Sequence, residues 1–368
     1  MQALKTYRSV STSILAVALI FAMACQPDPT GVTSTDVSLA EARSIAASYT
    51  STNLGALPGD NSSRANGVND AGEVAGYSCC SLGFRAFVTV SGALTALAGD
   101  HGNALAISNG SLRYVVGWAG ANSQPVRWTI AAGSAPSQPT YLAVGAATYG
   151  AARGVNDAGQ AVGNAGTDAA MWDADGILTV VPAPAGFVRG EGRAIDNEGH
   201  AVFVFFRPDP AWPDGIAIGY LRLASGELIQ MPPGAATGIS YANALTTVTG
   251  NTVGVAGSTY DTPSTSRAVR WTVDVVQRQI VSTEVRPETS HAVGISNGRA
   301  AAGFTEGQSN SLRTSAFRWQ GTQFVSLDPP KGGKEGKAWA ISPNGLLVAG
   351  EALIQPSRTA ILWRISSP

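Results

Sequence analysis

Apolar and polar positions alternate in short runs through most of the chain after residue 50, and Asn, Asp, Gly or Pro interrupt them every few residues. This pattern predicts short β-strands joined by tight turns. One phrase recurs: residues 65–76 read A-N-G-V-N-D-A-G-E-V-A-G, and near-copies continue to the C terminus. Marking the apolar residue before each polar turn gives Val68, Ile107, Val155, Ile195, Leu245, Ile295 and Ile341, spaced 39, 48, 40, 50, 50 and 46 residues apart. A four-stranded propeller blade occupies roughly 40 to 50 residues, so the marks predict seven blades.

Each unit repeats one plan. The first strand carries small residues at alternate positions, such as Ala65 and Gly67, Ala104 and Ala106, or Ala338 and Ala340. Small side chains suit strands that converge on a crowded axis. Polar turns follow at Asn69, Ser108, Asn156, Asp196, Thr249, Ser296 and Ser342, rich in residues that tolerate hairpin backbone angles. The second strand ends in Gly76, Gly117, Gly163, Gly254, Gly303 and Gly350, with Phe203 in that slot in unit four. A third strand carries Phe87, Trp128, Trp172, Tyr220, Trp271, Trp319 or Trp363, large rings suited to wedging blades apart as they fan outward. Fourth strands are expected at residues 94–97, 141–144, 177–181, 228–231, 280–284 and 324–327. Unit seven lacks a fourth strand, and residues 52–57 read as a fourth strand standing alone. The expected fold is therefore an all-β, seven-bladed β-propeller over residues 51–368, closed by an N-terminal strand that completes the last blade and leaves no open edge.

The segment before the repeats has a different character. Lys5 and Arg8 precede an eleven-residue apolar run, residues 14–24, too short to span a bilayer but suited to a signal peptide over residues 1–24. Residues 21–25, F-A-M-A-C, resemble a bacterial lipobox, although Ala22 stands where Leu is usual. That resemblance implies lipid attachment at Cys25, and Gln26 after it implies the outer membrane. The alternative is cleavage after Ala22-Met23-Ala24 and plain secretion. Residues 25–50 then form a tether, in which residues 37–48 are a short helix or more linker. Export is expected either way, with membrane contact only through the lipid.

Composition narrows the partners. Charged residues are 13% of the chain, with 43 Gly and 20 Pro, and the formal net charge is −1. Loss of Lys5 and Arg8 with a leader makes it more negative, so nucleic acid is not an expected partner. Cys79 and Cys80 are adjacent, and an oxidising compartment allows either a vicinal disulfide or two thiols in a loop.

The pattern A-x-G-[IV]-N-x-x-G-x-x-x-G, followed by an aromatic strand such as Ala316-Phe317-Arg318-Trp319, resembles the HAF-repeat family of bacterial extracellular proteins. The nearest matches to its His-Ala-Phe signature are Arg85-Ala86-Phe87 and Ser315-Ala316-Phe317, with the His replaced. The resemblance implies export and a propeller-like repeat fold, and it transfers no catalytic residue.

Chemistry is sparse. Gly294-Ile295-Ser296-Asn297-Gly298 matches a nucleophile elbow, but its Ser falls in a hairpin turn equivalent to Ser108 and Ser342. His101, His200 and His291 lie in three units without partners at metal-ligand spacing, and Asp173-Ala174-Asp175-Gly176 reads as a turn rather than the start of a calcium loop. No catalytic residue, metal or cofactor is expected. Variation concentrates four residues before each mark, and Arg64, Glu191, Tyr241, His291 and Lys337 there form the candidate binding face; the bland reading makes them solvated strand ends. The expected function is non-catalytic binding of an extracellular protein or glycan. The alternative is a hydrolase or lyase acting on polysaccharide, which requires acids, or a His with an acid, converging at one channel mouth.

Overall fold

The computed structural model describes residues 48–366 except 81–82, 211, 234–236, 263 and 307–313. The leader, Cys25 and the tether up to residue 47 lie outside the described residues. Those described form strands and turns with no helix, in five four-stranded antiparallel sheets and one of seven strands. The seven-stranded sheet contains units five and six, because a single strand, Gln279–Ile295, pairs with Thr265–Asp274 along its first part and with Ala301–Thr305 along its last. The sequence pattern places two strands there. No glycine interrupts residues 279–293, so the chain passes from the outer edge of one repeat to the inner edge of the next without turning. The N-terminal strand Tyr49–Gly55 pairs antiparallel with Ser357–Ile365, putting both ends of the repeat region in one sheet. It begins three residues before the segment picked out by sequence.

A β-bulge in every inner strand sets the geometry. The shift falls between Ala65 and Gly67, Ala104 and Ala106, Ala152 and Gly154, Gly192 and Ala194, Ala242 and Ala244, Ala292 and Gly294, and Ala338 and Ala340. Beside the bulge, Ala65 pairs with Gly76, Ala104 with Gly117, Ala152 with Gly163, Ala242 with Gly257, Ala292 with Gly303 and Ala338 with Gly350. A Cβ on any of these glycines would lie 1.7–2.0 Å from the carbonyl oxygen of the residue preceding the paired alanine. Glycine is required there because the backbones touch. Unit four reverses the pair, setting Gly192 against Phe203.

Two sequence assignments move. In unit five the close-contact glycine is Gly257, not Gly254, whose N–H instead donates to Thr246 Oγ1. Its turn likewise opens at Thr246 rather than Thr249. The longer loop displaced both readings by three residues. Among the aromatics, Phe87 lies opposite Gly76 and Tyr220 opposite Phe203, whereas the five tryptophans sit two rungs further on, opposite Val115, Ala161, Val255, Ala301 and Val348. Phe87 and Tyr220 are thus not the counterparts of the tryptophans. Thr89 and Arg222 occupy that rung in units one and four.

The tryptophans tie neighbouring repeats together. Trp128, Trp172 and Trp363 donate their indole N–H to Ala98, Ala143 and Asp328 carbonyls of the preceding unit, at 2.6–2.8 Å. Trp128 packs with Val88 and Leu97, and Trp271 with Val202, Leu221 and Met231, each group from the unit before. Leu347, Ala349 and Leu362 of unit seven pack with Ala65, Val68 and Phe87 of unit one. Each such ring removes apolar surface worth roughly 2–3 kcal/mol from water. The core therefore lies between repeats, and no repeat can bury its own faces.

Turn residues complete the scaffold. Asn69, Ser108, Asn156, Asp196, Thr246, Ser296 and Ser342, all no more than 5% exposed, accept a backbone N–H from across their own turn at 2.8–3.1 Å. Ser296 is thus a turn clamp and no nucleophile. Asp173 Oδ1 accepts the N–H groups of Asp175 and Ile177, so that segment is a turn as well.

Gly257→Ala should cost at least about 3 kcal/mol or prevent folding, because its Cβ meets a backbone oxygen, while Gly254→Ala, facing the Thr246 side chain at 3.1 Å, should cost about 1 kcal/mol. Urea unfolding of the two variants checks the assignment, and equal losses would contradict it.

Candidate ligand site at the channel

Bulging rotates one residue per inner strand toward the axis. These residues are Asn66, Leu105, Arg153, Arg193, Asn243, Val293 and Trp339, and all of them line one cavity of about 350 Å³. Cavities of this size hold small ligands. Arg64 also lines it, with its guanidinium 3.5 Å from the centroid of the Trp339 ring. Asn66 and Asn243 donate to Ala104 and Ala292 carbonyls on the next inner strand, which fixes their amides.

Of the five residues singled out by sequence, only Arg64 lines this cavity. Glu191 lies beside it, 3.2 Å from Arg153 Nε and paired with Arg193 as well. Tyr241 and His291 join a row of rings at the end where the inner strands begin. The row runs Phe206, Tyr241, Tyr260, His291, Phe304, Trp339, with successive centroids 4.9–6.3 Å apart. Lys337 sits over Phe304 at 4.6 Å and Arg189 over Phe206 at 4.0 Å. All five residues are half-buried with partners of their own, unlike solvated strand ends. Sequence reading missed the bulge residues that face the cavity. Their signal was a second variable position two residues before each mark, flanked by small residues.

His291 is the most connected polar group here. Its Nδ1 lies 3.3 Å from Ser258 Oγ, and its Nε2 lies 3.0 Å from Ser266 Oγ and 3.1 Å from Glu306 Oε1. Both serines are 1% exposed and cannot meet a substrate as nucleophiles. Burial lowers the imidazole pKa, Glu306 opposes the shift, and Lys337 adds to it. Burial, with Tyr241 and Glu306, pushes the Tyr260 hydroxyl up to about 12, so it stays protonated at neutral pH.

At the opposite, turn-side end, Asp70, Asn109, Asp157, Asn197 and Asn297 line a cavity of about 320 Å³. Their groups bond one another: Asp70 N–H donates to Asn109, Asn109 N–H to Asp157, Asp157 N–H to Asn197, and Asn344 N–H to Asp70, at 2.6–2.9 Å. Nearby, Asp196, Glu198 and His200 bring potential metal-binding atoms within 4.8 Å of one another, a grouping that the spacing of the histidines did not suggest. Asp196 already accepts the Glu198 and His200 N–H groups and bonds His200 Nδ1, which accounts for the cluster as a turn. His101 has positive φ in a loop against Gly83, and Cys79 and Cys80 are joined by a disulfide.

No family model matches the chain, and no curated protein matches it by sequence. Solved structures do resemble it. An oligogalacturonate lyase from Vibrio parahaemolyticus is 9% identical, covering 88% of this chain and 98% of its own, with a TM-score of 0.55. Virginiamycin B lyase from Staphylococcus aureus is 13% identical, covering 87% and 99%, with a TM-score of 0.53. A streptogramin B lyase structure is 11% identical, covering 86% and 98%, with a TM-score of 0.50. The fold is a β-propeller. At these identities the likeness carries fold and nothing of chemistry.

The His291 environment gives a titration with a defined sign. Its imidazole should titrate below the ordinary histidine value, Glu306→Gln should lower the midpoint further by removing the opposing charge, and Lys337→Met should raise it. Proton NMR of the ring checks all three, and a midpoint unmoved by Glu306→Gln would break the assigned pairing.

Proposed function

We propose that the protein is an exported, lipid-anchored, seven-bladed propeller, closed by its N-terminal strand, that binds an extracellular ligand at the aromatic end of its channel without transforming it. The observation that carries this reading is the row of rings from Phe206 to Trp339 beside the arginine-lined cavity, in which Tyr241, Tyr260, His291 and Trp339 are half-buried and Phe206 and Phe304 back them from the core. Rings laid side by side with cations above them offer area and direction to a ligand at low entropic cost. The nearby acids are engaged, Glu191 by two arginines and Glu306 by His291.

One observation favours a second reading, in which His291 with Glu306 takes a proton from a bound polysaccharide as a lyase does. A neutral imidazole beside a carboxylate suits that role, whereas a serine hydrolase is disfavoured by the burial of Ser258 and Ser266.

A glycan and peptide array probed with the full chain, followed by the Tyr241→Ala/His291→Ala variant, tests the site. Binding should fall at least tenfold with the fold intact, and unchanged affinity would reject the site. Turnover of an array ligand that His291→Gln abolishes would replace the binding reading with the lyase one. For the anchor, Cys25→Ser should abolish palmitate labelling in a bacterial host and release the protein from membranes. Labelling that persists would exclude lipidation at Cys25.

A further inference from the structure

We infer that the channel cavity takes the carboxylate of an acidic saccharide, with Arg64, Arg153 and Arg193 as its anion-binding residues and Trp339 as the face for its ring; the inference rests on the binding site proposed above. The donor inventory points this way. The described residues lining the cavity include three guanidiniums and no carboxylate. Arg64 Nε, Arg193 Nε and Trp339 Nε1 are buried without a hydrogen-bond partner, Arg153 Nε faces only the Glu191 carboxylate at 3.2 Å, and no side-chain acceptor among the lining residues is buried without a partner. Those nitrogens are themselves enclosed, so a guest meets the guanidiniums at the ends that Arg153 and Arg193 keep open, and a lining rich in donors and free of carboxylates favours an acceptor-rich guest.

The charge count agrees. Glu191 serves both Arg153 and Arg193, while Arg64, outside ion-pair distance of any carboxylate among the described residues, is compensated only by the charge of Glu351 and a hydrogen bond with Tyr77. Lys337 adds a further cation beside Trp339. This local excess stands in a chain whose formal net charge is −1. Burial lowers the pKa of Arg64 and Arg153, which marks cations incompletely compensated by their surroundings. Arg153 and Arg193 nevertheless keep 32% and 29% of their side-chain surface open. Guanidinium forks match carboxylate geometry. The half-buried Trp339 ring carries the Arg64 guanidinium over one face at 3.5 Å and lies 5.2 Å from Phe304, so the rest of its surface is the apolar area a sugar ring would meet beside the cations. The cavity volume suits the terminal residue of a chain rather than a folded protein.

The test is calorimetry of the full chain with trigalacturonate and with the neutral galactose trimer of the same linkage, at 20 mM and 300 mM NaCl. The acidic trimer should bind at least tenfold tighter than the neutral one, and its affinity should fall several-fold at the higher salt. Arg64→Gln and Arg153→Gln should each cost tenfold or more, while Arg64→Lys, retaining the charge without the fork, should cost less. Thermal unfolding of each variant keeps loss of fold apart from loss of binding. Equal affinity for the two trimers would overturn the inference while leaving the proposed binding site standing. Binding of neither would overturn it too, and the array experiment then decides the broader reading separately.

Discussion

The contact between the bulged backbone of each inner strand and a glycine on the next strand, reversed only in unit four, is the constraint on which the rest of this protein depends. Where Ala65 meets Gly76, or Ala242 meets Gly257, the preceding carbonyl fills the space a Cβ would take. The bulge that creates this contact also twists the strand. One residue per repeat consequently turns toward the axis, so the requirement that empties the glycine position also selects what lines the channel.

That coupling separates scaffold from site cleanly. Ala, Gly, the turn clamps and the tryptophans are set by packing between repeats, which is why they recur. The residues extruded by the bulge line the channel cavity, so Asn, Leu, Arg, Val and Trp can all stand at equivalent places. Unit four shows how far the scaffold bends: with Gly192 and Phe203 exchanged, its large ring joins a cluster with Phe205, Ile218 and Tyr220, and the neighbouring Glu191 ends up between two channel arginines.

Electrostatics at the two ends of the channel differ for the same reason. On the turn side, Asp70, Asn109, Asp157 and Asn197 are consumed in bonds to one another and to backbone, because hairpin turns need such side chains to hold their shape. At the other end the strands begin and no turn has to be clamped, so rings and cations gather there. A ligand gains most where the fold has the least prior claim on the side chains.

Much of the architecture was legible in the chain alone. Turn residues, glycines and rings recur because each repeat solves one local problem in backbone conformation and packing, and local solutions leave a period in sequence. Thus the strand order within units, the inter-repeat role of Trp128 or Trp363, and the reading of Ser296 as a turn residue followed from comparing siblings. Where the period was disturbed, by the longer loop of unit five or by the unbroken strand Gln279–Ile295, boundaries slipped. The site was less visible. Arg64, Glu191, Tyr241, His291 and Lys337 were found as variable strand starts, but which side chains face the channel depends on a bulge that breaks strict alternation. A sequence read with period two assigns the wrong face beyond it. Bringing Arg153, Arg193 and Trp339 to one cavity, and His291 to Glu306, is the work of separate repeats meeting around an axis, and only the tertiary structure decides that.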